Sequence, residues 1–289
     1  MKYLLGAIGL WAALAGAARA DTILFVGNSF TFGELATAKH YHARDVHDLN
    51  PPNGRNQTIG GVPAIFKEFT KEANLSYDVS LETEGGKGLD YHYTQKLPVL
   101  DKAWDVVVLQ SYSTLDENNP GDPTLLTEYT RKFDTTLHAR NPNVKIYLNA
   151  TWSRADLTYP ADTPWNGKPI TQMALDLAAG YEAARKASPG ITGVVPVGQA
   201  WNRAFAVGFA DANPYDGITA GQVNLWADDN YHASDFGYYL EALMIFGKVT
   251  GLDPLSLGPG ERVARDFGFL RAQTTTLQQI AHDELAAQK

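Results

Sequence analysis

Thr22-Ile23-Leu24-Phe25-Val26-Gly27-Asn28-Ser29-Phe30-Thr31 passes directly from an apolar segment into a small polar turn that carries a serine. Residues 22–26 are rich in β-branched and aromatic side chains and are apolar on both faces, as expected for a strand buried in a parallel sheet. α/β enzymes place their chemistry in turns at the ends of such strands. The stretch therefore predicts a central first strand whose turn presents the Ser29 hydroxyl.

Four further runs of the same kind follow, separated by segments with apolar residues at three- and four-residue spacing. The predicted strands are Ser76–Glu82, Asp105–Gln110, Val144–Asn149 and Gly193–Val197, and the intervening predicted helices are Val62–Ala73, Leu125–Ala139 and Thr171–Ala187. Spacing of this type suits helices that cover a sheet. The alternation predicts an α/β fold in three α/β/α layers, with a doubly wound parallel sheet of about five strands.

The rest of the chain fits the same single domain. After the fifth predicted strand we expect a helix at Gln199–Phe209, a loop at Asp211–Asp229, a helix from Ser234, and further helix, in one or two pieces, over Glu261–Lys289. The segment His40–Gly61 is predicted to be a long surface loop. Because it follows the first strand-turn unit, it lies on the side of the sheet where sites form, and we expect it to border the site.

The N-terminus has the pattern of a cleaved secretory signal. Lys2 precedes an apolar run from Leu4 to Ala17, and Ala18-Arg19-Ala20 has the small-x-small pattern that signal peptidases read. The run is short for a membrane span. We therefore predict a signal peptide at residues 1–20, cleaved near Ala20, a single mature domain at residues 21–289, and a secreted or periplasmic location. An uncleaved N-terminal anchor is the alternative.

Length, composition and charge limit the size of the core, the means of stabilisation and the classes of partner. Removal of 20 residues from 289 leaves 269, enough for one large core. The chain has no cysteine, so packing and hydrogen bonds must stabilise it without disulfides. A net charge of −8 and the lack of a Lys/Arg run argue against a nucleic-acid or anionic-membrane partner.

A second segment, Asp229-Asn230-Tyr231-His232, supplies what the serine needs. A serine hydroxyl is a weak nucleophile until a base accepts its proton, and a histidine does so best when a carboxylate holds its other ring nitrogen. Taken alone, the Asp-x-x-His pattern is short and common, and it more often marks a histidine that only caps the following helix or binds water near Ser234. Its combination with the Ser29 turn favours a catalytic triad of Ser29, His232 and Asp229.

These two segments together resemble the SGNH/GDSL hydrolase superfamily. Gly27 to Thr31 stands where that family has its nucleophile block, and Asp229 to Gly237 stands where it has its triad acid and base. Because Gly-Asn-Ser replaces the commoner Gly-Asp-Ser, the closer resemblance is to a Gly-Asn-Ser-Phe-Thr branch of secreted, carbohydrate-esterase-like bacterial members. The resemblance covers the two ends of the mature domain and implies a flavodoxin-like sheet in the order 2-1-3-4-5.

The resemblance also implies an oxyanion hole built from the Ser29 N–H, a glycine after the second strand, and a polar side chain after the third. Gly86 in the Glu84-Gly85-Gly86-Lys87-Gly88 segment is our choice of glycine, with Gly85 next. Fixed donors of this kind contribute about 3–4 kcal/mol each to transition-state stabilisation. A tight turn is the purely structural alternative for these glycines.

The third donor is where the sequence departs from the family pattern. The expected Gly-x-Asn-Asp block is absent, and Gln110-Ser111-Tyr112-Ser113 occupies its place. Gln110 resembles the glutamine that carbohydrate-acetylesterase-like branches carry there, and its amide can donate to an oxyanion. Ser113 is the second candidate. Asn149 is the third, or else a substrate contact or a turn residue.

Two other groups of residues bear on function. His40, His42 and His47, with Asp45 and Asp48, suggest a metal cluster, but their spacing fits no specific template. We interpret this segment as a solvated or substrate-lining loop, and acyl transfer requires no metal or other cofactor. Aromatic residues near predicted strand ends would suit stacking against sugar rings if they are grouped there. They are Tyr91, His92, Tyr112, Trp152, Trp165, Trp201, Trp226 and Tyr231.

The resulting hypothesis is a secreted serine esterase acting on short acyl esters, with an acetylated saccharide as the favoured substrate. A lipase or thioesterase activity uses the same mechanism. A catalytically silent carbohydrate-binding protein is one alternative, and a metal-dependent hydrolase that uses the His40–His47 segment is another.

Overall fold

A computed structural model describes residues 19–50, 58–160 and 162–288. The strands are β1 (Asp21–Gly27), β2 (His47–Asp48), β3 (Tyr77–Thr83), β4 (Val106–Leu109), β5 (Lys145–Ala150) and β6 (Ile191–Pro196). The helices are α1 (Ser29–Phe32), α2 (Gly61–Glu72), α3 (Leu89–Leu100), α4 (Thr124–Arg140), α5 (Ala155–Thr158), α6 (Thr171–Ala187), α7 (Val197–Ala206), α8 (Asp235–Thr250), α9 (Arg262–Asp266) and α10 (Arg271–Ala287). Two 3-10 helices lie at Thr37–His40 and Pro254–Leu257.

All six strands form one parallel sheet in the order β2-β3-β1-β4-β5-β6. The five long strands therefore have the predicted 2-1-3-4-5 arrangement. The predicted count of about five strands is one short, because the two-residue strand β2 extends the sheet at its β3 edge. A strand of two residues, both exposed, has no apolar alternation by which a sequence pattern could identify it.

Helices cover both faces of the sheet and give the predicted three layers. On one face α2, α7, α8 and α10 pack over alternate strand residues such as Ile23 and Phe25. On the other face α3, α4 and α6 cover the remaining ones, including Leu24 and Val26. The central strand β1 is thus buried on both sides, as its continuous apolar run predicts.

Helix α3 is the main element that the sequence patterns did not predict. It begins at Leu89, directly after the Gly85–Gly88 loop, and contains Pro98. Only three of its twelve residues are buried, so the apolar stripe that identifies a covering helix is weak. The C-terminal tail forms two helices, α9 and α10, which is one of the two forms expected.

Residues 1–18, which include most of the predicted signal peptide, and residues 51–57 of the predicted His40–Gly61 loop lie outside the described residues. No helix in the described ranges has both the length and the apolar character needed to cross a bilayer. The parallel arrangement brings the ends of β1, β3, β4 and β5 to a single edge, where the loops that follow them meet.

Candidate active site

Ser29 is the first residue of the short helix α1, immediately after β1. The Asn28 side chain caps this helix by accepting a hydrogen bond from the Phe30 N–H at 3.1 Å. Gly33, with a φ of 80°, ends the helix after one turn. The serine is 6% exposed, and its backbone N–H has no hydrogen-bond partner among the described residues. This tight strand-turn-helix unit holds the Ser29 hydroxyl and an unpaired N–H at the carboxyl edge of the sheet.

Asn28 also ties the turn to two neighbouring loops. Its Nδ2 donates to the carbonyl oxygen of Lys87 at 2.9 Å and to that of Ser111 at 3.1 Å. Lys87 belongs to the loop after β3 and Ser111 to the segment after β4. Because Asn28 is 3% exposed, these bonds are shielded from water, and one side chain fixes the relative position of three loops.

Gln110 supports the same turn from β4. Its Oε1 accepts hydrogen bonds from the Asn28 N–H at 2.8 Å and from the Thr31 hydroxyl at 3.1 Å, while its Nε2 donates to the carbonyl oxygen of Ser111. The side chain is 1% exposed. In this arrangement the amide contacts the backbone of the nucleophile turn with its oxygen, so the geometry favours a positioning role for Gln110. Its role as an oxyanion donor stays a prediction.

The Asp229–His232 pair has the geometry of an oriented base. The carboxylate Oδ2 of Asp229 lies 2.6 Å from His232 Nδ1, and its Oδ1 accepts hydrogen bonds from the N–H groups of Tyr231 and His232 at 3.0 and 2.9 Å. Burial acts to raise the pKa of Asp229, but these hydrogen bonds outweigh it and hold the pKa below its usual value. Asp229 therefore stays ionised and fixes the imidazole so that Nε2 points away from it.

His232 and Ser29 come to the same edge of the sheet from opposite ends of the chain. The His232 ring lies 5.8 Å, centroid to centroid, from the ring of Phe30, the residue after Ser29. Tyr238, on helix α8, donates a hydrogen bond from its hydroxyl to the Ser29 carbonyl at 3.2 Å. His232 Nε2 is buried and, within the described part of the chain, has no hydrogen-bond partner, Ser29 Oγ included. Catalytic hydrogen bonds are often long in unliganded enzymes and tighten with substrate.

The loop that carries the predicted glycine donor borders the Ser29 turn. The Glu84 N–H donates to the carbonyl oxygen of Gly27 at 3.1 Å, which joins the loop to the end of β1. Gly86 is exposed and has a φ of 69°, and a Cβ built on it would meet no atom within 4 Å. Its N–H has no partner in residues 19–50, 58–160 and 162–288. The glycine thus provides a left-handed turn next to open space, with a free donor.

The two alternative oxyanion candidates, Asn149 and Ser113, form hydrogen bonds with other side chains. The Asn149 Nδ2 donates to Glu241 Oε1 at 2.6 Å, in a buried contact with helix α8. The Ser113 hydroxyl accepts a hydrogen bond from Arg154 at 3.2 Å. Arg154 also pairs with Asp156, and its guanidinium lies 3.6 Å from the centroid of the Tyr231 ring. The assignment of either residue to the oxyanion hole remains a prediction.

The four tryptophans considered for sugar stacking lie in the core. Trp152, Trp165, Trp201 and Trp226 are each 2% exposed or less. Trp152 stacks on Trp201 at 4.7 Å and on Phe30 at 4.3 Å, so it supports the residue next to Ser29 from below. His92 is fully buried, with Nδ1 2.5 Å from Glu82 Oε2. Tyr91, Tyr112 and Tyr231 are partly exposed.

The histidines of the His40–His47 segment do not converge. His40 Nδ1 lies 3.0 Å from the Thr58 carbonyl oxygen, and His47 Nε2 lies 2.9 Å from Asp78 Oδ1. His42 instead approaches Asp45 and Glu68.

Three positioning residues were not identified from the sequence. Asn28 was noted only as a departure from Gly-Asp-Ser, although an asparagine before a helix start is itself a cap signal. Tyr238 lies in an apolar helix, where its sequence context is that of a core residue. Arg154 lies in a short polar segment after β5, which gives no signal of its own. Their contacts cross large sequence separations, which local patterns do not encode.

No protein-family model and no curated protein matches the chain. Its fold does match solved structures. A DUF4886 family protein from Bacteroides uniformis is 15% identical with a TM-score of 0.61, over 93% of this chain and 95% of that chain. A protein described as a GDSL-like lipase from Parabacteroides merdae is 19% identical with a TM-score of 0.52, over 81% of this chain and 96% of that chain.

A third similar structure, TesA, is 15% identical with a TM-score of 0.50, over 80% of this chain and 99% of that chain. At these identities the likeness shows a shared fold. The match runs over nearly the full length of each of the three structures.

Proposed function

We propose that this chain is a serine esterase of the SGNH/GDSL type. The observation that carries the proposal is the Asp229–His232 pair at 2.6 Å, which leaves a buried, unpaired Nε2 beside the turn that holds Ser29. A binding protein needs no such oriented base. An unpaired buried nitrogen costs stability, so its presence is best explained by a functional role. The likeness in fold, over 81% of this chain, to a protein described as a GDSL-like lipase supports the same proposal.

In the proposed mechanism Ser29 Oγ attacks the ester carbonyl while His232 Nε2 accepts its proton. Asp229 holds the imidazole and stabilises the imidazolium. The unpaired N–H groups of Ser29 and Gly86 face the developing oxyanion. Gln110, which holds the Ser29 turn through its side-chain oxygen, is the candidate third donor through its amide nitrogen. His232 then protonates the leaving alcohol and activates the water that releases the acid.

We propose that the substrate is a saccharide that carries a short acyl group, preferably acetyl. Ser29 is only 6% exposed and its neighbours Asn28 and Phe30 are buried, so the nucleophile has little room for a long acyl chain. Gln110 at the end of β4 supports the saccharide, through its resemblance to carbohydrate-acetylesterase-like branches. The buried tryptophans contribute nothing to sugar stacking, which leaves the partly exposed tyrosines as candidate contacts.

Hydrolysis of p-nitrophenyl esters from acetyl to decanoyl, followed by acetylated xylooligosaccharides, tests the proposal. We expect turnover that falls with acyl length, and covalent labelling of Ser29 by a fluorophosphonate. Ser29→Ala and His232→Ala should each lower kcat about 10³-fold or more, and Asp229→Asn should act similarly.

The chain offers a matched control for the histidine. His282 Nδ1 lies 2.9 Å from Asp253 Oδ2 in an exposed Asp–His pair, so His282→Ala removes the same kind of contact away from the site. That variant should keep full activity. Absence of both turnover and labelling would leave a carbohydrate-binding role. Chelator-sensitive activity that survives Ser29→Ala would favour the metal-dependent alternative.

A further inference from the structure

His42, Asp45 and Glu68 form a second cluster of ligand-type side chains, separate from the proposed catalytic groups. His42 Nδ1 lies 3.5 Å from Asp45 Oδ2 and 3.5 Å from Glu68 Oε2, and one ligand atom from each residue lies within 4.8 Å of the others. His42 and Asp45 follow the 3-10 helix at Thr37–His40, whereas Glu68 is on α2. The cluster therefore joins the segment after the nucleophile turn to a covering helix.

Two of the facing atoms lack hydrogen-bond partners. Glu68 is 3% exposed, and its Oε2 is buried without a hydrogen bond, as is His42 Nδ1 opposite it. A buried carboxylate oxygen that faces an imidazole nitrogen without bonding it costs free energy, and such atoms are rare without a role. Two ligands on one tetrahedral zinc ion lie about 3.4 Å apart. The 3.5 Å separations fit that spacing, and they are long for direct hydrogen bonds.

The surrounding groups prepare the imidazole for a ligand role. The His42 ring stacks on Tyr41 at 4.2 Å with an interplanar angle of 6°, which fixes its orientation. Its other nitrogen, Nε2, faces Asp266 Oδ2 at 3.8 Å, and the Tyr41 hydroxyl donates to the same carboxylate oxygen at 3.0 Å. At 3.8 Å the Asp266 carboxylate is too far to accept a direct hydrogen bond from Nε2, so its contribution is negative charge beside the ring.

The charges also leave room for a cation. Glu68 faces the ammonium of Lys71 at 3.6 Å and the guanidinium of Arg262 at 3.3 Å. The carboxylates of Asp45, Glu68 and Asp266 outnumber these two cations by one. A bound cation would offset this excess.

We propose that His42, Asp45 and Glu68 bind a divalent transition-metal ion of the Zn²⁺ class. Imidazole nitrogen and carboxylate oxygen are both ligand types that Zn²⁺ takes, and three such ligands leave a further position for water. The ion links the segment after α1 to α2. It stabilises this part of the fold and takes no part in ester cleavage, so the inference stands independently of the proposed function.

Calorimetric titration of the untagged, EDTA-treated protein with ZnCl₂ tests this inference. We expect one ion per chain at a Kd of micromolar or below, and a Tm higher by about 5 °C at a hundredfold excess over Kd. Asp45→Asn and Glu68→Gln should each weaken binding at least tenfold. Asp45 is half-exposed, so its variant keeps the fold even if the Glu68 variant is unstable.

His47→Asn is the matched control, because His47 lies on the same segment and pairs with Asp78 away from the cluster. It should bind Zn²⁺ as the unmodified chain does. Absence of saturable binding would overturn the assignment. So would binding that is unchanged in both Asp45→Asn and Glu68→Gln.

Discussion

The Gln110 side-chain oxygen accepts a hydrogen bond from the backbone N–H of Asn28 at 2.8 Å, one residue before the proposed nucleophile. The same oxygen bonds the Thr31 hydroxyl, and the amide nitrogen bonds the Ser111 carbonyl. A side chain expected to face an oxyanion thus spans the nucleophile turn and the segment after β4. Gln110 therefore has two candidate roles, support of the Ser29 turn and donation to the oxyanion, and experiment can distinguish them.

Gln110→Ala should lower stability as well as activity. The buried Asn28 N–H and Thr31 hydroxyl lose their acceptor, which costs about 1–3 kcal/mol in the free energy of unfolding for each unsatisfied group. Denaturant unfolding and kcat for p-nitrophenyl acetate, measured on the same variant, check this. A large loss of kcat with unchanged stability would instead assign Gln110 mainly to the oxyanion.

Asn28→Asp should impair the proposed esterase activity although it restores the commoner Gly-Asp-Ser sequence. The carboxylate keeps the cap on the Phe30 N–H but loses both Nδ2 donors, and it places negative charge against the carbonyl oxygens of Lys87 and Ser111. We expect a loss of about 2 kcal/mol or more in unfolding free energy and at least a tenfold drop in kcat/KM. Activity equal to that of the unmodified chain would show that the two hydrogen bonds donated by Asn28 Nδ2 are dispensable.

Gly86→Ala should distinguish the cost of backbone strain from the loss of the proposed oxyanion donor. The residue has a φ of 69°, which disfavours a Cβ by about 1 kcal/mol, yet the new methyl group meets no atom. We therefore expect a small loss of stability and a larger loss of kcat, since relaxation of the turn redirects the proposed donor. Gly217→Ala, which has a φ of 94° and open surroundings, is the matched control for strain alone. Equal kinetic effects in the two variants would count against a donor role for Gly86.

Glu241 should make stability depend on pH. Burial raises its pKa from 4.5 to about 8, against the hydrogen bond from Asn149 that lowers it. Because the folded pKa lies above the unfolded one, its contribution to stability is fully present below about pH 4.5 and is lost as the pH rises to about 8. The loss is on the order of 3–5 kcal/mol in the free energy of unfolding.

Glu241→Gln should remove this dependence, because a neutral amide still accepts the hydrogen bond from Asn149. Unfolding at pH 5, 7 and 9 should show the variant gaining on the unmodified chain as the pH increases. Glu128→Gln, on the exposed side of α4, is the control and should show no such trend. A difference between Glu241→Gln and the unmodified chain that stays constant over this range would contradict the prediction.

The sequence patterns predicted the sheet because each long strand contains a short run rich in β-branched and aromatic residues, two of them apolar on both faces. The order of the strands came from the resemblance. They predicted the contact between Asp229 and His232 because the two residues lie in one short loop. They did not predict β2 or α3, whose residues carry little apolar periodicity.

The sequence patterns also did not predict the direction in which side chains at the strand ends point. Gln110 and Asn149 both stand at strand ends, yet one turns to the Ser29 turn and the other to Glu241 on α8. Trp152 and Trp226 follow strand ends or precede turns in the sequence, but both point into the core. The sequence grouped His42 with Asp45 but not with Glu68, because Glu68 belongs to a different element. In each case the decisive contact crosses a large sequence separation.

Tyr238 joins the two ends of the domain by donating to the carbonyl oxygens of both Ser29 and Glu34 from the helix that follows His232. The serine and its base are 203 positions apart in the sequence. During synthesis the ribosome therefore delivers the nucleophile long before the helix that anchors it. On the proposed mechanism, a growing or prematurely ended chain carries an inert serine, and the proposed activity requires that α8 has docked.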